Sequence, residues 1–285
     1  MTHKSLFYLL VLAVLCAACS SDPLDVNASD QDVSLGFVNM DSVLVNSDSS
    51  SFVSFHDDWK KTMPDIYNYQ LGHCLQLPEL SGPETFGRFK TFRSDKYITS
   101  LEKEIATLFN SKKLEGLEDQ ITEGFKRLKY HFPNQQIPNN IVFMNSLYAS
   151  NVFCTETEIG IGMERYLGAE SESIKALPEQ EFYGWIKAAM DEKFLVRDVF
   201  TGWVSTHFME EPQGSVIEQM IHWGKIIYFT EAAMPDQPKH IILRYEKDDL
   251  EWAKKNELAF WEYLVNEKLL FKSEELNIIN MLKYH

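Results

Sequence analysis

The sequence predicts an α+β fold, mainly helical with one small sheet, on three observations. Apolar residues recur at three- and four-residue steps on both sides of the middle of the chain, and short β-rich runs cluster between positions 141 and 163. No segment repeats at a fixed period, which excludes solenoids and propellers. Helices gathered before and after a few strands favour α+β over a doubly wound sheet. With 285 residues, 45% hydrophobic and 24% charged, the chain has enough apolar material for a packed body.

Taken in order, Val33 to Val38 alternates loosely and reads as a first strand. Asp48 to Ser51 reads as a loop, and Phe52 to Gln70, with Trp59, Ile66 and Tyr67 at helical spacing, as a helix interrupted at Pro64. From Gln76 to Thr91 the residues Pro78, Gly82, Pro83 and Gly87 predict an extended connection. Leu101, Ile105, Leu108 and Phe109, then Leu117, Ile121, Phe125, Leu128 and Phe132, predict two amphipathic helices broken between Asn110 and Glu115, the second stopped by Pro133. Ile141 to Met144, Asn151 to Cys154 and Ile159 to Met163 read as two or three strands of one sheet. Helices are expected over about Pro178–Phe194, Val196–His207, Ser215–Met234 and Asp248–Phe271, with a last piece from Ser273.

The N-terminus sets the class. One Lys precedes the apolar run Leu6 to Leu15, which is too short to span a bilayer and ends in Cys16-Ala17-Ala18-Cys19. This resembles a bacterial lipobox, in which cleavage before Cys19 leaves its thiol to carry the lipid; Cys16 stands where an aliphatic residue is usual. An ordinary secretory signal cut after Ala18 is the alternative. The domains are therefore read as 1–18 signal peptide, 19–32 polar tether and 33–285 one exported domain. Loss of Lys4 leaves 26 basic against 42 acidic residues, a net charge of −16. So acidic a body is a poor partner for nucleic acid or for anionic membrane surfaces. Cys74 and Cys154 either form one disulfide or stay as isolated buried thiols.

Walker loop, dinucleotide glycine fingerprint, nucleophile elbow and paired C-x-x-C are all missing from the sequence. One helix carries a partial metal motif. Ser215 and Glu218 make a capping box, and Glu218 and His222, four apart, share a face as the two histidines of an H-E-x-x-H helix do. Glutamate takes the place of the first histidine, and Gln219 that of the general base, where it cannot accept a proton from a metal-bound water. Glu231, nine residues on, points away from His222 on an unbroken helix. The favoured reading is a capping glutamate and a surface histidine near Lys225, with no bound metal and no cofactor. Glu257 falls within the apolar stripe Leu250, Ala253, Trp261 and Leu264, so burial with a partner such as Arg244 is expected of it.

Several segments together resemble the gliding motility-associated lipoprotein GldB family. They are Tyr130-His131-Phe132-Pro133 with Ile137-Pro138, Ile159 to Gly168, Met220 to Phe229, and Leu250 to Ala253 with Asn256-Glu257 and Trp261. Their order and the leading lipobox agree across most of the mature chain. The resemblance implies a zincin-like fold related to predicted zinc peptidases, with the sheet after Ile141 lying over the helix from Ser215. It further implies a noncatalytic accessory or scaffold role in the cell envelope, linked to gliding or secretion. Family members usually run on past the position matching Tyr284, so this chain is expected to be slightly shorter than its relatives. The expected partners are a membrane, through the lipid on Cys19, and an envelope protein; Ser20 is compatible with an outer-membrane location facing the periplasm. Two other readings remain: a zinc-dependent peptidase using Glu218 and His222, and a periplasmic lipoprotein binding peptide or glycan fragments, motivated by the 13% aromatic content.

Overall fold

A computed structural model describes residues 23–77, 82–210, 212 and 214–273. The signal segment, Cys19 and nearly all of the piece expected from Ser273 lie outside the described residues. Strands β1 (Gly36–Asn39), β2 (Asn140–Met144), β3 (Val152–Cys154) and β4 (Glu158–Gly162) form one sheet in the order β1-β2-β4-β3. β1 and β4 both run parallel to β2, in registers that pair Phe37 with Ile141 and Ile141 with Ile159, while β3 is antiparallel to β4. Parallel strands of this kind are covered on both faces, which is why β2 and β4 read as unbroken apolar runs.

Alternation along β2 divides the core into two layers. Ile141 and Phe143 face α6 (Ser111–His131) and α9 (Leu195–His207), with Ile121, Phe125, Leu128, Phe200 and Trp203 fully buried between them. Val142 and Met144 face the helices that fill the connection from β1 to β2: α1 (Met40–Asn46), α2 (Ser49–Thr62), α3 (Pro64–Asn68) and α4 (Gly82–Arg93). Between α3 and α4 a π-helical turn runs over Tyr69–Cys74. α5 (Lys96–Leu108) follows α4, and Asn110 caps α6 by accepting from the Lys113 N–H at 3.2 Å, which fixes the break expected there. Gly124 lets α6 and α9 approach: a Cβ at that position would lie 2.1 Å from Cζ of Phe200.

Past the sheet come the short helices α7 (Glu172–Lys175) and α8 (Gly184–Ala188), then α9, α10 (Val216–Ala233), α11 (Lys239–Ile242) and α12 (Lys247–Asn266). Several expectations need correction. Gly82–Arg93 is helical rather than extended, because Pro83 sits in the first turn, where its missing N–H costs nothing, and Thr85 and Phe89 are buried four residues apart. The helix expected over Pro178–Phe194 is reduced to α8 and a 3₁₀ turn at Glu192–Phe194. Tertiary pairing draws that backbone away: Met190 accepts from the Gly168 N–H at 2.8 Å, and Asp191 bridges Leu167. Ser49 to Ser51, read as loop, form the first turn of α2 under an Asp48 capping box. α1 was not expected from its Val-rich sequence; Asn39 caps it, and Met40 and Leu44 bury its inner face.

Within the segment read as a tether, Leu24 and Ala28 are buried, and the Val26 carbonyl accepts from Arg127 Nη1 at 3.1 Å. The chain is thus already docked on α6 a few residues after Cys19. Cys74 and Cys154 are free thiols, so the disulfide alternative is not realised. The helix lying on the sheet is α9, which contacts β3 and β4; α10, the helix from Ser215, packs instead on α6 and α9. The layering expected of a zincin-like domain is therefore displaced by one helix.

Candidate functional site

The residues singled out by sequence do not meet. Glu218, on the exposed first turn of α10, accepts at Oε2 from the Ser215 N–H at 2.6 Å and shares a hydrogen bond with the Ser215 hydroxyl at 2.9 Å. These bonds to Ser215 hold its carboxyl below the usual range. Gln219 Nε2 donates to the Pro212 carbonyl at 2.9 Å, and the half-buried His222 ring sits edge-on to Trp223 with centroids 6.0 Å apart. Glu231, the remaining carboxylate of that helix near its C-terminus, is ion-paired with Lys239. Glu257 stands on a different helix, α12, and contrary to expectation it is exposed. The reason is that α12 buries only Leu264 among its described neighbours, so the rest of its apolar stripe stays at the surface. A zinc ion does not fit this set: Glu218 is engaged by its own cap, Gln219 is bound to backbone, and among the described residues no third donor joins His222. Among the described residues, no group of three His, Cys, Asp or Glu side chains is placed to hold a metal ion.

A different set of polar groups converges at the carboxyl ends of the parallel strands, where α/β sheets commonly place their sites. Glu164, just past β4, is completely buried. Its carboxylate accepts from the Ser146 N–H at 3.1 Å, the Ser146 hydroxyl at 2.5 Å and the Tyr148 N–H at 2.8 Å. These bonds fold the loop after β2 so that Leu147 and Tyr148 both take positive φ, 48° and 66°. Two consecutive bulky residues there are strained, and the Glu164 bonds hold the strain in place. Gly162 is required beside them, since a Cβ would lie 2.3 Å from the Ser150 carbonyl oxygen.

Asp41, in the first turn of α1 just past β1, and Glu102 of α5 line a cavity of about 360 Å³ with Asn39, Ser42 and Met163. Burial, then the charges of Glu102 and Glu164, push the Asp41 carboxyl up to about 7. Glu102 is raised by burial, against its ion pair with Arg93 Nε at 2.9 Å. Burial also raises Glu164, with its hydrogen bonds to Ser146 and Tyr148 opposing. The sequence carried one signal for this set: Glu164 follows directly on the apolar run Ile159 to Met163, where a charge must be satisfied internally. Asp41 and Glu102 carried none.

The family model for gliding motility protein GldB matches residues 21–284. The chain belongs to the GldB family. Membership in this lipoprotein family makes it a gliding motility family protein with a lipid-anchored place in the cell envelope. No curated protein and no solved structure matches this GldB chain, so its zincin likeness has no structural neighbour behind it. Among the described residues no helix is long and apolar enough to cross a membrane.

Proposed function

We propose that this GldB chain is a noncatalytic accessory factor of the gliding and secretion machinery, held through lipid on Cys19 at the outer membrane and facing the periplasm. One observation carries the reading. On the helix that would bear the metal in a zincin-like relative, the residue in the base position is Gln219, tied to backbone, and Glu218 closes the cap of its own helix. An amide cannot take a proton from water, and a capping carboxylate is already engaged as an acceptor.

Elemental analysis of the purified full-length protein tests the proposal. The expected result is zinc well below one ion per chain and no cleavage of peptide substrates. Stoichiometric zinc with peptide hydrolysis, both lost in His222→Ala, would overturn it and establish the peptidase reading.

A further inference from the structure

Three guanidinium groups gather where the turn after β4, α9 and the segment after α11 meet. Arg165, Arg197 and Arg244 line a cleft of about 730 Å³ together with Trp185, Tyr245 and Trp252. Besides the buried Glu164, whose charge also acts on Arg165, the buried carboxylate behind the cleft is Asp198. Its Oδ1 accepts from Arg197 Nη1 at 3.0 Å. Oδ2 lies 3.3 Å from Arg244 Nη2 and accepts from the Tyr166 hydroxyl at 3.0 Å and Asn151 Nδ2 at 3.2 Å. That one carboxylate is therefore fully engaged in balancing two arginines. The third, Arg165, places its Nε on Asn151 Oδ1 at 2.6 Å and its Nη1 on the Tyr148 carbonyl at 3.3 Å, both neutral oxygens. Arg244 stands at a positive φ of 60°, and its buried Nε has no hydrogen-bond partner. At the rim, Glu246 is paired with Lys193 at 2.6 Å, and Asp249 is exposed. In a chain of net charge −15, a half-buried excess of positive charge is a specific feature, not a sample of the general surface.

We infer that this cleft binds a carboxylate-bearing peptide segment of a partner protein, the carboxylate lying against Arg165 and Arg244 and an adjoining apolar side chain against Trp185 and Trp252. Guanidinium forks match a carboxylate in geometry as well as charge, and the flat indoles, 56% and 67% exposed, offer apolar area at its mouth. The volume suits a few residues of peptide. Asp249 and Glu246 at the rim favour a singly charged group over a phosphate dianion. Arginines bind without transferring protons, so the site is one of recognition. The inference goes beyond the noncatalytic reading and does not depend on it: peptide binding measured in EDTA tests the cleft, whereas zinc content and hydrolysis test that reading.

The experiment uses the full-length protein in detergent and three unlabelled, N-acetylated peptides, followed by isothermal titration calorimetry. Gly-Phe-Gly-Phe ends in a free acid, Gly-Phe-Glu-Phe-Gly amide carries its carboxylate on a side chain, and Gly-Phe-Gln-Phe-Gly amide carries none. The expected result is that at least one acidic peptide binds tenfold or more tightly than the neutral one, the tighter of the two telling whether a chain end or a side chain is recognised. Arg165→Gln should lose that difference, and Trp252→Ala, an exposed change that leaves the fold intact should the arginine variant not fold, should weaken the acidic peptides tenfold or more through loss of the apolar contact. Lys103→Gln, on the exposed face of α5, should bind as the parent does. Equal binding of neutral and acidic peptides, no binding of any, or full binding by Trp252→Ala would overturn the inference.

Discussion

Glu164→Ala is expected to lower the unfolding free energy by about 3–5 kcal/mol, a large fraction of the roughly 5–15 kcal/mol typical of a folded domain. The carboxylate is completely buried and serves three donors of one loop. Its removal strands two backbone N–H groups, each costing about 1–3 kcal/mol when left unsatisfied in the interior. It also removes the bond that holds the Tyr148 N–H in the positive-φ stretch Leu147-Tyr148. Denaturant unfolding checks the magnitude, and loss of protection at the Ser146 and Tyr148 amides in hydrogen exchange checks the cause. A cost below about 1 kcal/mol, the range of ordinary surface substitutions, would show that the loop holds itself without Glu164.

The opposite sign is expected for Asp41→Asn. With its carboxyl raised from 3.8 to about 7, the folded state keeps a proton that the unfolded chain gives up across that interval. Stability must therefore fall as pH rises from about 4 to about 7, and above 7 the full cost of a buried carboxylate beside Glu102 and Glu164 remains. At about 1.4 kcal/mol per pH unit, the ceiling is roughly 4 kcal/mol, so Asn should stabilise the protein at pH 8 by on the order of 2–4 kcal/mol. For a chain of this size, that corresponds to a rise in Tm of about 5–10 °C. Below about pH 3, where the parent residue is protonated in both states, the two proteins should unfold alike. Part of the slope should persist in the variant, since burial raises Glu102 and Glu164 as well. An unchanged slope between pH 4 and 7 would mean that Asp41 is charged throughout.

Elements governed by local chemistry were legible in the sequence. The two helices over Lys96–His131 declare themselves by spacing and by an Asn cap, and the strands around Ile141 and Ile159 by apolar runs bounded by Pro138 and Gly162. The segment Pro178–Phe194 was not, because its backbone is claimed by Gly168 and Leu167, partners that no local pattern reveals. Glu257 is exposed because a stripe of apolar residues predicts a buried face only where something packs on it, and Leu264 is the one residue of α12 that is fully buried. The polar clusters were the least visible. Asp41, Ser146 and Glu164 come from three segments joined by strand pairing, and Arg165, next to Glu164, meets Asp198 and Arg244 from two further segments, so spacing along the chain assembles neither set. Glu164 behind the apolar run Ile159 to Met163 and the charged pair Arg197-Asp198 inside Phe194 to Val204 are the available signs, and they mark burial without saying what the charges face.

Gliding itself tests the central claim most directly. A strain carrying the full-length gene with Glu218→Ala and His222→Ala together, in place of the parent copy, should spread and glide at the parental rate with the protein present at its parental level. Gliding abolished at an undiminished protein level would contradict the account, since those side chains would then be performing chemistry that a noncatalytic protein does not need.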